Sequence, residues 1–265
     1  MPTNADAAPE AEAEDQLYVL TAVLLTPGRF PSVLGDDYPE VCATLGLEPY
    51  AEGYGLLLGQ DGQGARWTVV TEDVTAVACA VSAWDCGMEH ELSPDASSVV
   101  AVLGGWPLAL AVAAPGVPAP HDPQPVEGEH PPLRPPDATG WGAAQRRLGA
   151  DEIALAWAAW REQVDDEDTF VSPGAAPHPG VRRVLDEAAA YLTEPPPPGR
   201  IRSTYAGDEV RALRVDGPGW SMIARTDDIA FVLLDDAPGE VLPVGRGPEL
   251  PGLLTGLDAL AARPV

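Results

Sequence analysis

The sequence predicts an α+β fold: two antiparallel β-meander halves with flanking helices, separated by a proline-rich linker. Three observations predict it. Short β-branched and aliphatic runs, punctuated by glycine and proline, recur in both halves. Apolar residues return at three- and four-residue intervals in three later stretches. Between the halves the composition breaks, with nine prolines between Pro115 and Pro136. Proline fixes φ and lacks an N–H, so this stretch belongs neither to a helix nor to a sheet interior, and reads as an extended linker or a surface-draped loop. The expected organisation is a disordered acidic tail (1–15), a mainly β half (16–114), the linker (115–138) and a second α+β half (139–265).

In the first half, residues 17–25 (LYVLTAVLL) stop at Pro27-Gly28 and predict a buried strand. Residues 36–45 predict a short helix with Tyr38, Val41, Cys42 and Leu45 on one face. Residues 54–58 and 66–71 flank a glycine-studded turn at 60–64 and predict a hairpin. A further strand is expected at 74–82, and a second hairpin from 98–103 and 108–113 around Gly104-Gly105-Trp106-Pro107.

The second half opens with helices. Ile153, Trp157, Trp160 and Val164 fall on one helical stripe over 151–164. Val181, Val184, Leu185, Ala188 and Leu192 define a second helix, stopped by Pro195–Pro198 and Gly199. Strands are expected at 209–215, 220–225, 229–234 and 240–244. A closing amphipathic helix follows from Leu250, Leu253, Leu254, Leu257 and Leu260, weakened by Gly252 and Gly256.

An internal echo links the halves. Asp61–Val77 and Asp216–Val232 each read as a glycine turn, a Trp-led strand (Trp67, Trp220), a T-[ED]-D turn and a second strand. Duplication and chance resemblance within a biased composition both account for it.

The chain contains no lysine: its 15 cations are all arginine, against 41 Asp and Glu, for a net charge of −26. With a single Asn and abundant Ala, Gly and Pro, this composition reads as the product of a GC-rich bacterial genome. So strong a negative charge argues against unaided binding to nucleic acid or an anionic membrane, whose phosphates repel it. A basic protein is the electrostatically natural partner. Three cysteines (Cys42, Cys79, Cys86) follow no disulfide framework. No basic region precedes an apolar stretch at the N-terminus, and the 17–25 run is too short to span a bilayer. A cytoplasmic location is expected.

Catalytic motifs do not emerge. No Ser sits in G-x-S-x-G, and no Walker loop, dinucleotide fingerprint or H-E-x-x-H occurs. Cys79, Cys86 and His90 match no zinc spacing, and Cys79 reads as a small buried residue inside a strand. His121 and His130 with Asp122, Glu127 and Glu129 lie on a stretch poorly suited to preorganising ligands. Asp165, Asp166, Glu167 and Asp168 lack the alternation of a calcium loop and read as a solvated helix end. Asp227-Asp228 and Asp235-Asp236 read as turn residues. No cofactor, metal or catalytic residue is therefore expected.

Two aromatic–acidic groups remain as candidates for partner binding: Trp141, Trp157 and Trp160, and the Asp165, Asp166, Glu167, Asp168 run. Tryptophan is enriched at binding hot spots, although Trp157 and Trp160 read first as fillers of a helix–sheet core. Arginines 182, 183, 200, 202, 211 and 214 concentrate positive charge in the second half, where they can pair internally or form an anion patch. The sequence thus points to a non-enzymatic acidic binding protein, such as an immunity protein, chaperone-adaptor or regulatory partner. An enzyme using an unrecognised carboxylate site and a structural component of a larger assembly are the alternatives.

Overall fold

The computed structural model describes residues 17–88, 91–110, 112–128, 130–135, 143–164 and 178–263. The fold is α+β, with two antiparallel meanders of four and five strands. The chain divides into two compact units, one comprising the chain to Leu25 with Glu52–Pro136, the other Thr26–Ala51 with Asp137–Val265. The second unit therefore includes a segment that lies between the first two strands in sequence. Among the described residues, no helix is long and apolar enough to cross a membrane.

In the N-terminal unit, β1 (Tyr18–Leu25), β2 (Tyr54–Gln60), β3 (Arg66–Thr71) and β4 (Val99–Gly104) pair in sequence order. Asp61 shapes the β2–β3 turn, accepting the N–H groups of Gln63 and Ala65 at 2.9 Å each. Residues 74–82 form no strand but part of a helix, Val74–Asp85. The Asp73 carboxylate caps it by accepting Ala76 N–H at 2.9 Å, and alanines at every second or third position outweigh the β-branched residues. Cys79 accordingly lies exposed on a helix rather than buried in a strand. The helix closes on the sheet where Val77 meets Gly55, whose missing side chain makes the approach possible: a Cβ there would lie 2.4 Å from Val77 Cγ2.

The second expected hairpin is also corrected. Val99–Gly104 pairs with β3, whereas Leu108–Leu110 and residues 112–113 join no strand. Trp106 is fully buried, and the bend at Gly105 (φ +82°) with Pro107 after Trp106 carries the chain out of register. The proline-rich stretch is a strap held along the first sheet, within the N-terminal unit. Arg66 N–H donates to His121 O (2.9 Å), His121 N–H to Gly64 O (3.1 Å) and Leu133 N–H to Gly104 O (2.7 Å). The few non-proline residues supply the N–H groups that proline lacks. The buried Gln60 amide ties the strap down further, accepting Ala114 N–H at 2.7 Å and donating to Pro118 O.

In the C-terminal unit, α1 spans Tyr38–Thr44, and the first helix, Val74–Asp85, of the other unit follows it as α2. Next come α3 (Ala143–Leu155), α4 (Trp157–Arg161) and α5 (Pro179–Ala190). The expected helix over 151–164 thus begins earlier and breaks at Ala156. Strands β5 (Ile201–Gly207), β6 (Val210–Gly217), β7 (Trp220–Arg225), β8 (Ala230–Leu234) and β9 (Leu242–Val244) pair in order, and α6 (Leu250–Leu260) follows. Strand β5 was not expected, because IRSTYAG offers no apolar run.

This sheet is covered on both faces. Val181, Val184 and Ala188 of α5 and Leu250, Leu254 and Leu257 of α6 pack with Leu213, Val215, Trp220, Met222 and Val232 on one face. Ala150, Ile153 and Trp157 pack with Ile223, Phe231 and Leu233 on the other. Double coverage explains why β8 (AFVLL) is apolar at every position.

The internal echo holds for the Trp-led strands β3 and β7 and breaks after them. Asp73 opens helix α2, whereas Asp228 precedes strand β8. The two segments therefore do not repeat one supersecondary unit.

Candidate functional site

The sequence-predicted partner residues separate. Trp141 and Asp165, Asp166, Glu167 and Asp168 lie outside the described residues. Trp157 is buried, edge-on to Phe231 with ring centroids 5.3 Å apart, and its Nε1–H donates to Asp228 Oδ2 at 3.3 Å. Trp160 packs partly buried against the same cluster. Both therefore serve the core reading of the helical stripe. Partial burial disfavours the Asp228 charge, but the bonds from Arg161, Ile229 N–H and Trp157 outweigh it and hold its pKa below the usual carboxylate range.

A denser polar assembly lies within the C-terminal unit, on the α3 side of the sheet. Its members come from the loop before α1 (Phe30, Asp36, Asp37), from the first turns of α3 (Arg146, Arg147) and from β5–β7 (Arg202, Arg214, Asp216, Ser221). Asp36 is fully buried and accepts Arg146 Nε (2.9 Å) and Nη2 (2.5 Å) together with Arg147 N–H (2.9 Å). Burial raises the Asp36 pKa against the pull of Arg146. Asp216 is also fully buried. It accepts Arg202 Nη2 at 2.7 Å, Arg214 Nε at 2.8 Å and Ser221 Oγ–H at 2.7 Å. Burial opposes its charge, yet Arg214 and Arg202 prevail and hold its carboxyl far below the usual range.

Two of the guanidiniums lie over the Phe30 ring. Arg147 lies with Cζ 3.7 Å from the ring centroid and Arg202 with Cζ 5.0 Å away, so both make cation–π contacts. The Nε atoms of these two arginines are buried without a hydrogen-bond partner among the described residues. Arg147 reaches Asp151 only at 3.8 Å. Burial, reinforced by repulsion from Arg202 and Arg214, pushes the Arg147 pKa down to about 9, so it stays cationic at neutral pH.

A polar cleft of about 410 Å³ opens beside this assembly. Arg146 and Arg200 contribute to it, each already engaged: Arg200 Nε donates to Asp37 Oδ2 at 2.9 Å, and Arg146 pairs with Asp36 and, at 3.2 Å, with Asp235. Asp37 also caps α1 by accepting Glu40 N–H at 2.8 Å. Glu40 and Asp235 are exposed at the cleft. The Pro218-Gly219 turn between β6 and β7, with Gly219 at φ +78°, forms another part of the wall, as a type II turn requires.

Sequence reasoning did not single out Asp36, Asp37, Arg146 or Arg147. A signal existed: Asp37-Tyr-Pro-Glu40 is a D-x-x-E cap with proline in the first turn. For the buried arginines there was none, since a doublet at 146–147 looks like any solvated pair. Of the arginines flagged in the second half, 200, 202, 211 and 214 bond internally to carboxylates or to Ser203. Arg182 and Arg183 are exposed.

Among the described residues, no three His, Cys, Asp or Glu side chains gather as a metal site. His90 and Glu129 lie outside the described residues. Cys42, Cys79 and Cys86 are free thiols. No protein-family model, no curated protein and no solved structure matches this chain.

Proposed function

We propose that this chain is a non-enzymatic binding protein of the cytoplasm, of the immunity, chaperone-adaptor or regulatory kind, that docks a basic protein partner. The observation that carries this reading is the direction of the arginines. In the C-terminal unit Arg146, Arg147, Arg202 and Arg214 are buried and turned onto Asp36, Asp151 and Asp216. With so much of the positive charge spent internally, the carboxylate surplus of a chain at −26 is left to the exterior. Such a surface raises the encounter rate with a cationic protein and repels anionic competitors.

The polar cleft offers a place for a lysine or arginine of that partner. Its own guanidiniums are already committed to Asp36, Asp37 and Asp235, and the carboxylates of Glu40 and Asp235 remain exposed to solvent. A partner captured from the native host would be measured for association rate at low and high salt. A steep fall with salt is expected, together with weaker binding of a Glu40→Gln/Asp235→Asn variant. Rates indifferent to salt would remove the steering step, and an unaffected variant would remove the cleft.

A further inference from the structure

A second cavity, of about 640 Å³, lies in the C-terminal unit between α5 and the segment joining β9 to α6. Its walls are aliphatic: Leu185 and Leu192 on one side, Leu250 and Leu253 on the other. Leu192 remains 41% exposed there. The size is that of a small-molecule site, about 300–1,000 Å³.

Arg182 and Arg246 also line this groove. Arg182 makes no ion pair among the described residues, and Arg246 only reaches Thr226 O at 3.4 Å. This contrasts with Arg146, Arg202 and Arg214 on the α3 side of the sheet, which are tied to Asp36 and Asp216. Asp186 and Glu249 complete the charged lining, so the groove is electrically balanced on a chain whose total is −26. It is thus a place where an anion meets uncommitted guanidiniums beside apolar walls.

We propose that this groove binds a single-chain amphipathic carboxylate, a fatty-acid-like anion, with its hydrocarbon along the leucines and its head group on Arg182 and Arg246. This goes beyond docking of a basic partner and does not depend on it.

The test is calorimetric titration of the full chain with dodecanoate, dodecyltrimethylammonium and dodecanol below their micellar or solubility limits. Dodecanoate is expected to bind one to one and more tightly than the other two. Arg182→Gln/Arg246→Gln should weaken it about tenfold, the scale of a lost charge-assisted contact. Ala189→Trp, a substitution at an exposed helix position lining the groove, should block it. Unchanged thermal midpoints confirm that the variants fold. Absence of saturable binding, a preference for the ammonium, or dodecanoate affinity indifferent to either variant would overturn the proposal.

Discussion

Arg202 and Asp216, on the paired strands β5 and β6, meet at 2.7 Å with the Asp216 carboxylate wholly shielded from solvent. Neither group could be buried alone, since an ion in a protein interior is tolerated only when paired and hydrogen-bonded. Arg214 and Ser221 complete the set. The network therefore acts as a keystone for the α3-side face of the second sheet.

The depressed Asp216 pKa sets an acid limit on stability. Its folded pKa lies below the unfolded value of about 3.9, so its contribution is complete above that pH and is lost as pH falls toward the folded pKa. Asp216→Asn is expected to lower stability at neutral pH by about 3–5 kcal/mol, the range for breaking a buried pair. It should also flatten the loss of stability below about pH 4. Urea midpoints across pH for both proteins measure this, and parallel curves would exclude it.

Arg147 and Arg214 are both buried, but their removal should not be equal. Arg214 bonds to Asp216, Asp151 and Ser221, so Arg214→Met leaves buried acceptors unmet and should cost about 3–5 kcal/mol. Arg147 has an unpartnered Nε, a distant carboxylate and contacts with Asp36 O and Phe30 O no shorter than 3.4 Å. Arg147→Met removes a guanidinium that has no close carboxylate and should cost clearly less than Arg214→Met. Chemical denaturation of the two variants ranks them; equal losses would refute the distinction.

Gly55→Ala should destabilise the N-terminal unit by about 1–3 kcal/mol, because the added methyl overlaps Val77 and forces α2 off the sheet. Combining it with Val77→Ala should recover part of the loss. A double variant no more stable than the sum of its parts would show that the contact is not the cause.

The thiols should differ in reactivity. Cys42 is buried and its pKa is pushed up to about 11, chiefly by burial, whereas Cys79 and Cys86 are exposed. Near neutral pH, a thiol-specific reagent should label Cys79 and Cys86 in the native protein and Cys42 only in denaturant. Mass spectrometry after brief labelling reads this directly, and early modification of Cys42 would contradict its burial.

Much of the fold was legible because periodicity survives as packing. The α5 stripe of Val181, Val184 and Ala188 faces the sheet as the spacing required, and the strand starting at Trp220 ends at Arg225 as expected. At 74–82 the Val and Thr residues weigh toward strand in the sequence, whereas the Asp73 cap, which also reads as a turn residue, decides for helix. Strand β5 escaped notice because two of its inward positions are Arg202 and Ser203, which pair with polar partners instead of apolar ones.

The sequence alone determined the charge, the lysine-free composition, the α+β class and the positions of most apolar stripes, since these depend on residue type and local spacing. Tertiary structure alone decided that Thr26–Ala51 joins the C-terminal unit, that the proline stretch straps the first sheet, and that arginines 146, 147, 202 and 214 point inward. The physical reason is that a buried ion pair is specified by both partners at once. Asp36 and Arg146 stand 110 positions apart, and nothing in either neighbourhood announces the other.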